Sequence, residues 1–262
     1  MADYRPISDF YDAEYNDLPM LRHDVGFLLA HLGEEPRDVV EIGCGTGRAA
    51  LPLACEGHRV VGFDIDEGML AIAEARRAGT NLDEGRLRFV HADATEEAWA
   101  ARVGRRRFDV CCCLFNTFLS LHAPEAQEAC LSGARAALRP GGRLWLDVFN
   151  PNLELIAGSI GGAGELDPAL FALPDGRSVM RLTKLKASTA RQITHVTFDY
   201  EWFERGRRKR RSRRFDMTWI MPREMERLLR LCGFEVEQVW GDYDGSPLTD
   251  RAPRQIISAL RR

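Results

Sequence analysis

The chain has 262 residues, of which 45% are hydrophobic and 29% are charged, with a formal net charge of -3 at pH 7. This length exceeds one typical domain and falls short of two, which favours a single sheet domain with a sizeable insertion. The charge balance gives no overall attraction to nucleic acid, and no apolar run approaches the ~20 residues of a membrane span. Because the N-terminal segment is acidic and has no apolar run, we expect a cytoplasmic protein.

The seven cysteines lie mostly inside apolar patterns. Cys111, Cys112 and Cys113 are consecutive, but consecutive strand residues face opposite sides of a sheet, and neither a CxxC pair nor a nearby histidine completes a ligand set. We therefore expect buried packing for these thiols, with no disulfide framework and no metal site.

The first predicted element is an amphipathic helix over 17–32, preceded by an aromatic and acidic segment, 10–15, that could be a lid or a packed flank. From Asp38 to Asn150 short apolar strands alternate with helical patterns, which predicts repeated βαβ units and a parallel sheet. The predicted strands are 38–42, 59–63, 87–91, 108–114 and 143–149. The predicted helices are 46–56, 67–79, 95–102 and 123–137, the last of which ends at the turn Arg139-Pro140-Gly141-Gly142.

The amino-acid composition changes after Asn150-Pro151. A glycine-rich stretch, 158–164, precedes two or three segments with β-type composition. The clearest pair, 193–203 and 208–219, flanks a hairpin turn at 204–207, so an inserted antiparallel sheet is expected.

A helix over 222–232 and strands over 234–240 and 254–260 close the chain. The predicted organisation is therefore an N-terminal helical flank or lid, a sheet core, an inserted antiparallel β lid and a C-terminal part that completes the core: 1–37, 38–150, 151–220 and 221–262.

The most informative segment is Val39 to Gly47, VVEIGCGTG, a buried strand that leads into a glycine-rich turn and a helix. Such a turn brings backbone close to a ligand. The dinucleotide fingerprint G-x-G-x-x-G places its third glycine one position later, where this chain has Arg48. Glu41 adds a carboxylate that would repel a pyrophosphate and suits a ligand with an ammonium and a sulfonium. A nicotinamide-dependent oxidoreductase is therefore a weaker alternative.

Two further strand ends carry carboxylates. Asp64 follows the second strand beside the glycine turn, a position that suits a ribose diol. Asp93 follows the third strand, where it could accept a hydrogen bond from an adenine amine. Three successive strand ends thus carry the polar groups that one ligand requires. The alternatives are a plain strand–helix turn and aspartates that act as helix caps.

These segments resemble the class I S-adenosylmethionine-dependent methyltransferases. EIGCGTG is similar to the first motif of that family, GFDID to its ribose site and HADATE to its adenine site. FDVCCCLFNTFLSL and LRPGGRLWLDVFNP are similar to its fourth- and fifth-strand segments, so the resemblance covers roughly 38–150. It implies an α/β fold, with a Rossmann-like, seven-stranded, mostly parallel sheet whose last strand is antiparallel, here carrying an inserted antiparallel β subdomain.

The resemblance also implies S-adenosyl-L-methionine as the cofactor, lying across the first two strand ends. The residues that it places at the cofactor are Gly43, Gly45, Asp64, Asp93, Ala94 and Leu114. We also expect Glu41, Cys44, Gly47, Ile65 and Asn116 to lie at the cofactor. Tyr11 and Arg22 of the N-terminal flank would reach its methionine end.

Methyl transfer from a sulfonium is an in-line displacement, so alignment and exclusion of water are the main tasks and a strong base is optional. The D/N-P-P-Y/F segment of nucleic-acid amino methylators is absent, because the fourth strand is followed by LFNTF. Candidate catalytic residues are Tyr11, His122 and Tyr243, each with a packing role as the alternative. We expect transfer to a nitrogen or oxygen of a small molecule; a non-catalytic cofactor-binding protein is the alternative.

The run from Arg205 to Arg214 contains eight basic residues in ten. It could grip phosphates, so an RNA methyltransferase is the main competing hypothesis. Charged hairpin edges also discourage strand-to-strand aggregation, and no RNA-binding domain pattern accompanies the run. We therefore expect a solvated edge without a nucleic-acid partner.

The two hairpin arms each carry large apolar side chains at period two, which predicts one apolar face. We expect this face to form a lid that selects the acceptor, and the alternative is that it packs only on the core of the insertion. The side chains are Phe198, Tyr200, Trp202, Phe215, Met217 and Trp219.

Overall fold

A computed structural model describes residues 10, 13–14, 19–96, 98–162 and 164–262, and the side chains of 19–22 lie outside this description. The described chain divides into two compact units, one of which is built from 23–150 and 220–262 and the other from 151–219 with the described residues before 23.

The first unit is built on a seven-stranded sheet. Its strands are β1 (Asp38–Ile42), β2 (Arg59–Asp64), β3 (Leu87–His91), β4 (Phe108–Cys113), β5 (Leu138–Phe149), β10 (Phe234–Trp240) and β11 (Arg254–Arg261). They lie in the order β10-β11-β5-β4-β1-β2-β3. The pairs from β5 through β4, β1 and β2 to β3 are parallel, whereas β11 runs antiparallel to both β5 and β10. The predicted fold, including its antiparallel last strand, is confirmed.

The helices of the described residues are α1 (Pro19–Leu32), α2 (Ala50–Cys55), α3 (Glu67–Ala78), α4 (Trp99–Val103), α5 (Pro124–Ala137), α6 (Leu153–Gly158) and α7 (Pro222–Leu231). None of them is both long enough and apolar enough to span a lipid bilayer. Helix α2 begins later than the predicted residue 46 because Gly47 has a φ of +78°, a left-handed conformation that a helix does not admit.

The interior strands are apolar because both of their faces are covered. Val39 and Val40 of β1 are fully buried, as are the three cysteines of β4. Burial raises the pKa of each of these thiols well above its usual value, so they remain neutral at physiological pH. The prediction that Cys111 to Cys113 pack in the interior is confirmed.

The fifth strand begins at Leu138 rather than at the predicted residue 143. Leu138 pairs with Phe108, and the register then shifts so that Arg143 pairs with Val110. Gly141 has a φ of +77°, so the glycines form an irregularity within the strand instead of a separate turn.

The inserted sheet has four antiparallel strands, β6 (Gly164–Ala172), β7 (Ser178–Ser188), β8 (Ile193–Glu204) and β9 (Arg207–Thr218), in chain order. The sequence predicted two or three. Strand β6 is hard to recognise because it contains Pro168, which is tolerated here at a register shift on an edge strand. Arg205 and Gly206 have φ values of +50° and +72°, as a two-residue hairpin turn of type I′ requires.

The aromatic face of the hairpin is buried within the inserted unit itself. Phe198, Tyr200 and Trp202 form a core with Phe10, whose ring centroid lies 5.2 Å from that of Trp202. Glu14 accepts a 2.8 Å hydrogen bond from the Tyr200 hydroxyl. These contacts favour the alternative that the face packs on the core of the insertion.

Much of the basic run is engaged inside the inserted sheet. On one face, Arg208 pairs with Glu201 at 2.5 Å and Arg210 pairs with Asp199 at 2.7 Å. On the other face, the Arg211 guanidinium lies 4.6 Å from the centroid of the Phe10 ring. These positive charges therefore stabilise the hairpin and its edge.

Candidate active site

The strand order brings the predicted site residues to one edge of the seven-stranded sheet. The carboxyl ends of β3, β2, β1 and β4 are neighbours there. Asp64 is the last residue of β2, the glycine turn follows β1, and Asp93 and Leu114 follow β3 and β4. Ligands of open α/β sheets bind outside the carboxyl ends of the strands.

The glycine turn depends on three glycines in the left-handed region. Gly43, Gly45 and Gly47 have φ values of +66°, +53° and +78°. A Cβ on Gly43 would overlap the Cγ2 atom of Thr117, so the turn after β4 packs directly on this backbone. Above Gly45 an added Cβ would meet no atom of the described residues nearer than 3.8 Å, which leaves room for a ligand against the backbone.

Asp64 fixes the glycine turn against the end of β2. Its Oδ2 accepts a 2.9 Å hydrogen bond from the Gly45 N–H, and its Oδ1 accepts one of the same length from the Asp66 N–H. The Cys44 N–H also donates to the Phe63 carbonyl at 3.0 Å. Burial raises the pKa of Asp64, and the two backbone N–H groups oppose that shift.

Asp93 closes a short turn after β3. Its Oδ1 accepts hydrogen bonds from the Thr95 N–H and the Thr95 hydroxyl, both at 2.8 Å. The Ala92 N–H donates to the Asp64 carbonyl at 3.1 Å, so the ends of β2 and β3 are tied together. Ala94 lies within the Asp93 turn, and Ile65 follows Asp64, where its carbonyl lies 3.0 Å from Nε2 of His91.

Glu41 is a buried acid on β1. Its Oε2 atom has no hydrogen-bond partner among the residues that the structure describes. Burial raises the pKa of Glu41 to about 8, although Arg48 opposes the shift. Arg48 is itself held by Asp24 of α1, to whose two carboxylate oxygens it donates at 2.9 and 2.6 Å. The carboxyl group of Glu41 is therefore protonated at neutral pH until a cation approaches it.

The turn after β4 is strained. Phe115 and Asn116 are consecutive non-glycine residues with φ values of +51° and +64°. Each left-handed residue of this kind costs about 1–2 kcal/mol, so the surroundings must hold it. The Phe115 N–H donates to Oδ2 of Asp147 at 3.0 Å, and the Asn116 N–H donates to the Asp147 carbonyl at 2.9 Å. The side-chain oxygen of Asn116 is occupied by the Phe149 N–H at 2.7 Å.

Asp147 is the centre of a buried cluster that sequence reasoning missed. Tyr243 donates its hydroxyl to Oδ2 at 2.7 Å, and Arg254 donates its Nε–H to Oδ1 at 2.5 Å. The fully buried Arg254 guanidinium also lies 4.9 Å from the Phe149 ring centroid. The signal in the sequence was a single acid in the otherwise apolar strand LWLDVF.

Of the three candidate catalytic residues, the structure describes Tyr243 and His122. Burial and the neighbouring Asp147 carboxylate raise the pKa of Tyr243, so this phenol is a hydrogen-bond donor and a poor base. His122 is partly buried in the segment just before α5. Tyr11 and the side chain of Arg22 lie outside the described residues.

The sheet order, the antiparallel last strand and the glycine turn together define the class of Rossmann-like methyltransferases. Residues 39–142 match a family described as a methyltransferase domain. The cypemycin N-terminal methyltransferase of a Streptomyces species is 29% identical over 241 residues, which cover 91% of this chain and 88% of that protein.

Solved structures show the same fold. An S-adenosylmethionine-dependent methyltransferase from Clostridium acetobutylicum has a TM-score of 0.78 at 13% identity, with 98% of each chain covered. CalS10, an amino pentose methyltransferase from Micromonospora echinaspora solved with S-adenosylmethionine bound, has a TM-score of 0.73 at 22% identity, with 96% of each chain covered. Residues 39–142 therefore match a methyltransferase domain, and the chain as a whole has the fold of solved S-adenosylmethionine-dependent methyltransferases.

Proposed function

We propose that this protein transfers the methyl group of S-adenosylmethionine to a nitrogen or oxygen atom of a small molecule, with an amine as the favoured acceptor. The observation that carries the proposal is the buried Glu41 carboxyl group beside the glycine turn, whose Oε2 has no partner among the described residues. A cationic ligand favours the ionised form of this carboxyl group and pairs with it, whereas a pyrophosphate has no positive charge with which to do so.

The residues at this sheet edge fit the cofactor. Glu41 suits its ammonium and sulfonium charges, the open backbone at Gly45 allows close approach, and Asp64 and Asp93 offer carboxylates to the ribose hydroxyls and the adenine amine. When bound, the cofactor supplies a methyl group attached to positively charged sulfur. The protein then has to align the acceptor with that methyl group and exclude water.

The proposed role of Asp64 gives a first prediction. Asp64→Ala should weaken S-adenosylmethionine binding by about 1–3 kcal/mol, because it removes a hydrogen bond between a charged group and the ribose. Titration calorimetry on the folded variant measures the change. Asp83→Ala is a suitable control, since Asp83 is an exposed turn-forming aspartate outside the site. An unchanged affinity in the Asp64 variant would remove this residue from the site.

The buried cluster favours an amine acceptor. Asp147 accepts hydrogen bonds from three donors, and Tyr243 has a raised pKa, so neither side chain is available as a strong base. An amine has only to lose its proton, whereas a hydroxyl group benefits from a positioned base. Two of the similar proteins support this proposal by their names, a cypemycin N-terminal methyltransferase and an amino pentose methyltransferase.

The proposal is tested with cofactor labelled in its methyl group. The protein is incubated in parallel with short peptides that have free N-termini, amino sugars, simple phenols and an RNA pool. We expect label in at least one amine acceptor, together with equivalent S-adenosylhomocysteine. Label confined to RNA would establish the competing function, and cofactor binding without transfer to any acceptor would indicate a non-catalytic protein.

The basic hairpin gives a second prediction. Replacing Arg207, Lys209 and Arg214 with serine should leave methylation of the small acceptor unchanged, because these side chains are exposed and lie outside the ion pairs formed by Arg208 and Arg210. Activity and RNA retention are measured at low and high salt. Loss of a salt-sensitive RNA interaction together with activity would favour the RNA methyltransferase.

We also propose that the inserted unit selects the acceptor. The chain enters it directly after β5 ends at Phe149, and the carboxyl ends of parallel strands form the ligand edge of the core sheet. The buried aromatic core of the insertion supports this role indirectly, because it gives the loops of that unit a rigid base.

A further inference from the structure

The strained turn after β4 contacts the glycine turn and the Arg48 side chain. Thr117 lies so close to Gly43 that no Cβ fits between them, and the Arg48 guanidinium lies 5.4 Å from the Phe115 ring centroid. Strained backbone persists where the surrounding structure over-determines it, and it concentrates at functional sites. The surrounding structure therefore fixes the position of the turn Leu114–Thr117 beside the glycine turn.

The order of the strands indicates what this turn faces, and this step rests on the proposed function. Asp93 after β3, Asp64 at β2 and Glu41 on β1 would bind the adenine, the ribose and the methionine part of the cofactor in that order along the edge. The next strand in the sheet is β4. The turn after β4 thus borders the methyl group on its acceptor side.

Asp147 holds this turn through both its side chain and its backbone. Oδ2 and the carbonyl oxygen accept the N–H groups of the two left-handed residues, Phe115 and Asn116. Tyr243 and Arg254 in turn hold the Asp147 carboxylate. Tyr243 and Arg254 are also linked to each other through the backbone. The Arg254 N–H donates to the carbonyl of Gly241, which begins the loop that carries Tyr243.

We propose that Asp147 is a positioning residue for the methyl-transfer step, with Tyr243 and Arg254 acting through it. The carboxylate sets the turn that faces the acceptor, and so it governs turnover more than cofactor affinity. A purely structural role would instead lower stability and leave turnover per folded molecule unchanged.

Two variants test the proposal, and a third serves as control. Asp147→Asn keeps the shape of the side chain but replaces one acceptor oxygen with a donor, and Tyr243→Phe removes one hydroxyl donor and keeps the ring. Gln255→Leu is the matched control, because Gln255 is fully buried on the same strand as Arg254 and donates to the Ile220 carbonyl at 2.8 Å. It therefore loses a buried hydrogen bond without touching the turn.

Turnover is measured with the peptide or amino-sugar amine that the wild-type protein methylates, and cofactor affinity is measured by calorimetry. We expect Asp147→Asn to lower kcat about 100-fold, as displaced reacting groups do, and Tyr243→Phe to lower it about tenfold. Affinity for S-adenosylmethionine should fall by a smaller factor than kcat does in each of these variants. A fall in kcat no larger than that of the control, or a loss confined to cofactor affinity, would overturn the proposal.

Backbone amide signals separate this proposal from the proposed function. In protein saturated with S-adenosylhomocysteine, the Phe115 amide proton should move upfield in Asp147→Asn, because its carboxylate acceptor is gone, and should stay in place in Gln255→Leu. If the wild-type protein methylates no acceptor, the proposed function fails. The placement of the turn beside the cofactor is then decided by whether S-adenosylhomocysteine shifts the Phe115 and Asn116 signals of the wild type, and unshifted signals would overturn that placement.

Discussion

S-adenosylmethionine should bind roughly 50-fold more tightly at pH 8 than at pH 6, because its positive charge requires Glu41 to be ionised. Burial raises the pKa of Glu41 to about 8 in the cofactor-free protein. At pH 6 only about one molecule in 100 carries the carboxylate, and at pH 8 about half do. Affinity therefore rises with pH up to the raised pKa, levels off above it, and binding releases a proton.

Calorimetry across this pH range, in buffers of different ionisation enthalpy, measures both the affinity and the released proton. Glu41→Gln is the control, because it keeps the shape of the side chain and cannot ionise. Titration of the ligand itself affects binding to the wild type and to Glu41→Gln equally, so the difference between the two proteins reports Glu41 alone. Equal pH dependence in the wild type and Glu41→Gln would show that Glu41 does not bind the cofactor as a carboxylate.

A methyl group on Gly43 should lower the free energy of unfolding by about 2–5 kcal/mol, which combines left-handed strain with overpacking. Gly43 has a φ of +66°, and its added Cβ would overlap Thr117. Gly33→Ala is the matched control, since Gly33 has a φ of +77° and no atom in the described part of the chain lies within 4 Å of the added Cβ. That control should lose only about 1–2 kcal/mol.

Denaturant unfolding gives the two stabilities, and calorimetry on the folded fraction gives the cofactor affinity. Gly43→Ala should also bind S-adenosylmethionine more weakly, because Thr117 and the glycine turn must move apart, whereas Gly33→Ala should bind it normally. Equal stabilities and equal affinities in the two variants would show that the turn accepts a side chain at Gly43.

The sheet core could be predicted because its signals are local. Strands such as β1 and β3 are short apolar runs between turn residues, and their observed bounds, Asp38–Ile42 and Leu87–His91, equal the predicted ones. The predictions failed where one residue overrides the pattern. Gly47 delays α2, the glycines after Pro140 bend β5 without ending it, and Pro168 conceals β6.

The residues of the candidate site also fall into two groups, those that the sequence predicts and those that it does not. Glu41, the glycine turn and Asp64 lie within two neighbouring βα units, so their spacing along the chain predicts their proximity. Asp147 and Arg254 are 107 residues apart, and only the antiparallel pairing of β11 with β5 brings them together. The left-handed φ of Phe115 also has no local signal, because tertiary hydrogen bonds to Asp147 impose it.

We expect the edge formed by Glu41, the glycine turn and Asp64 to bind S-adenosylmethionine rather than a dinucleotide. Parallel calorimetric titrations of the purified protein with S-adenosylmethionine, S-adenosylhomocysteine and NAD test it most directly. Tighter binding of the two sulfur compounds, weakened by Asp64→Ala, is the predicted result. Tighter binding of NAD, or sulfur-compound binding that Asp64→Ala leaves unchanged, would contradict it.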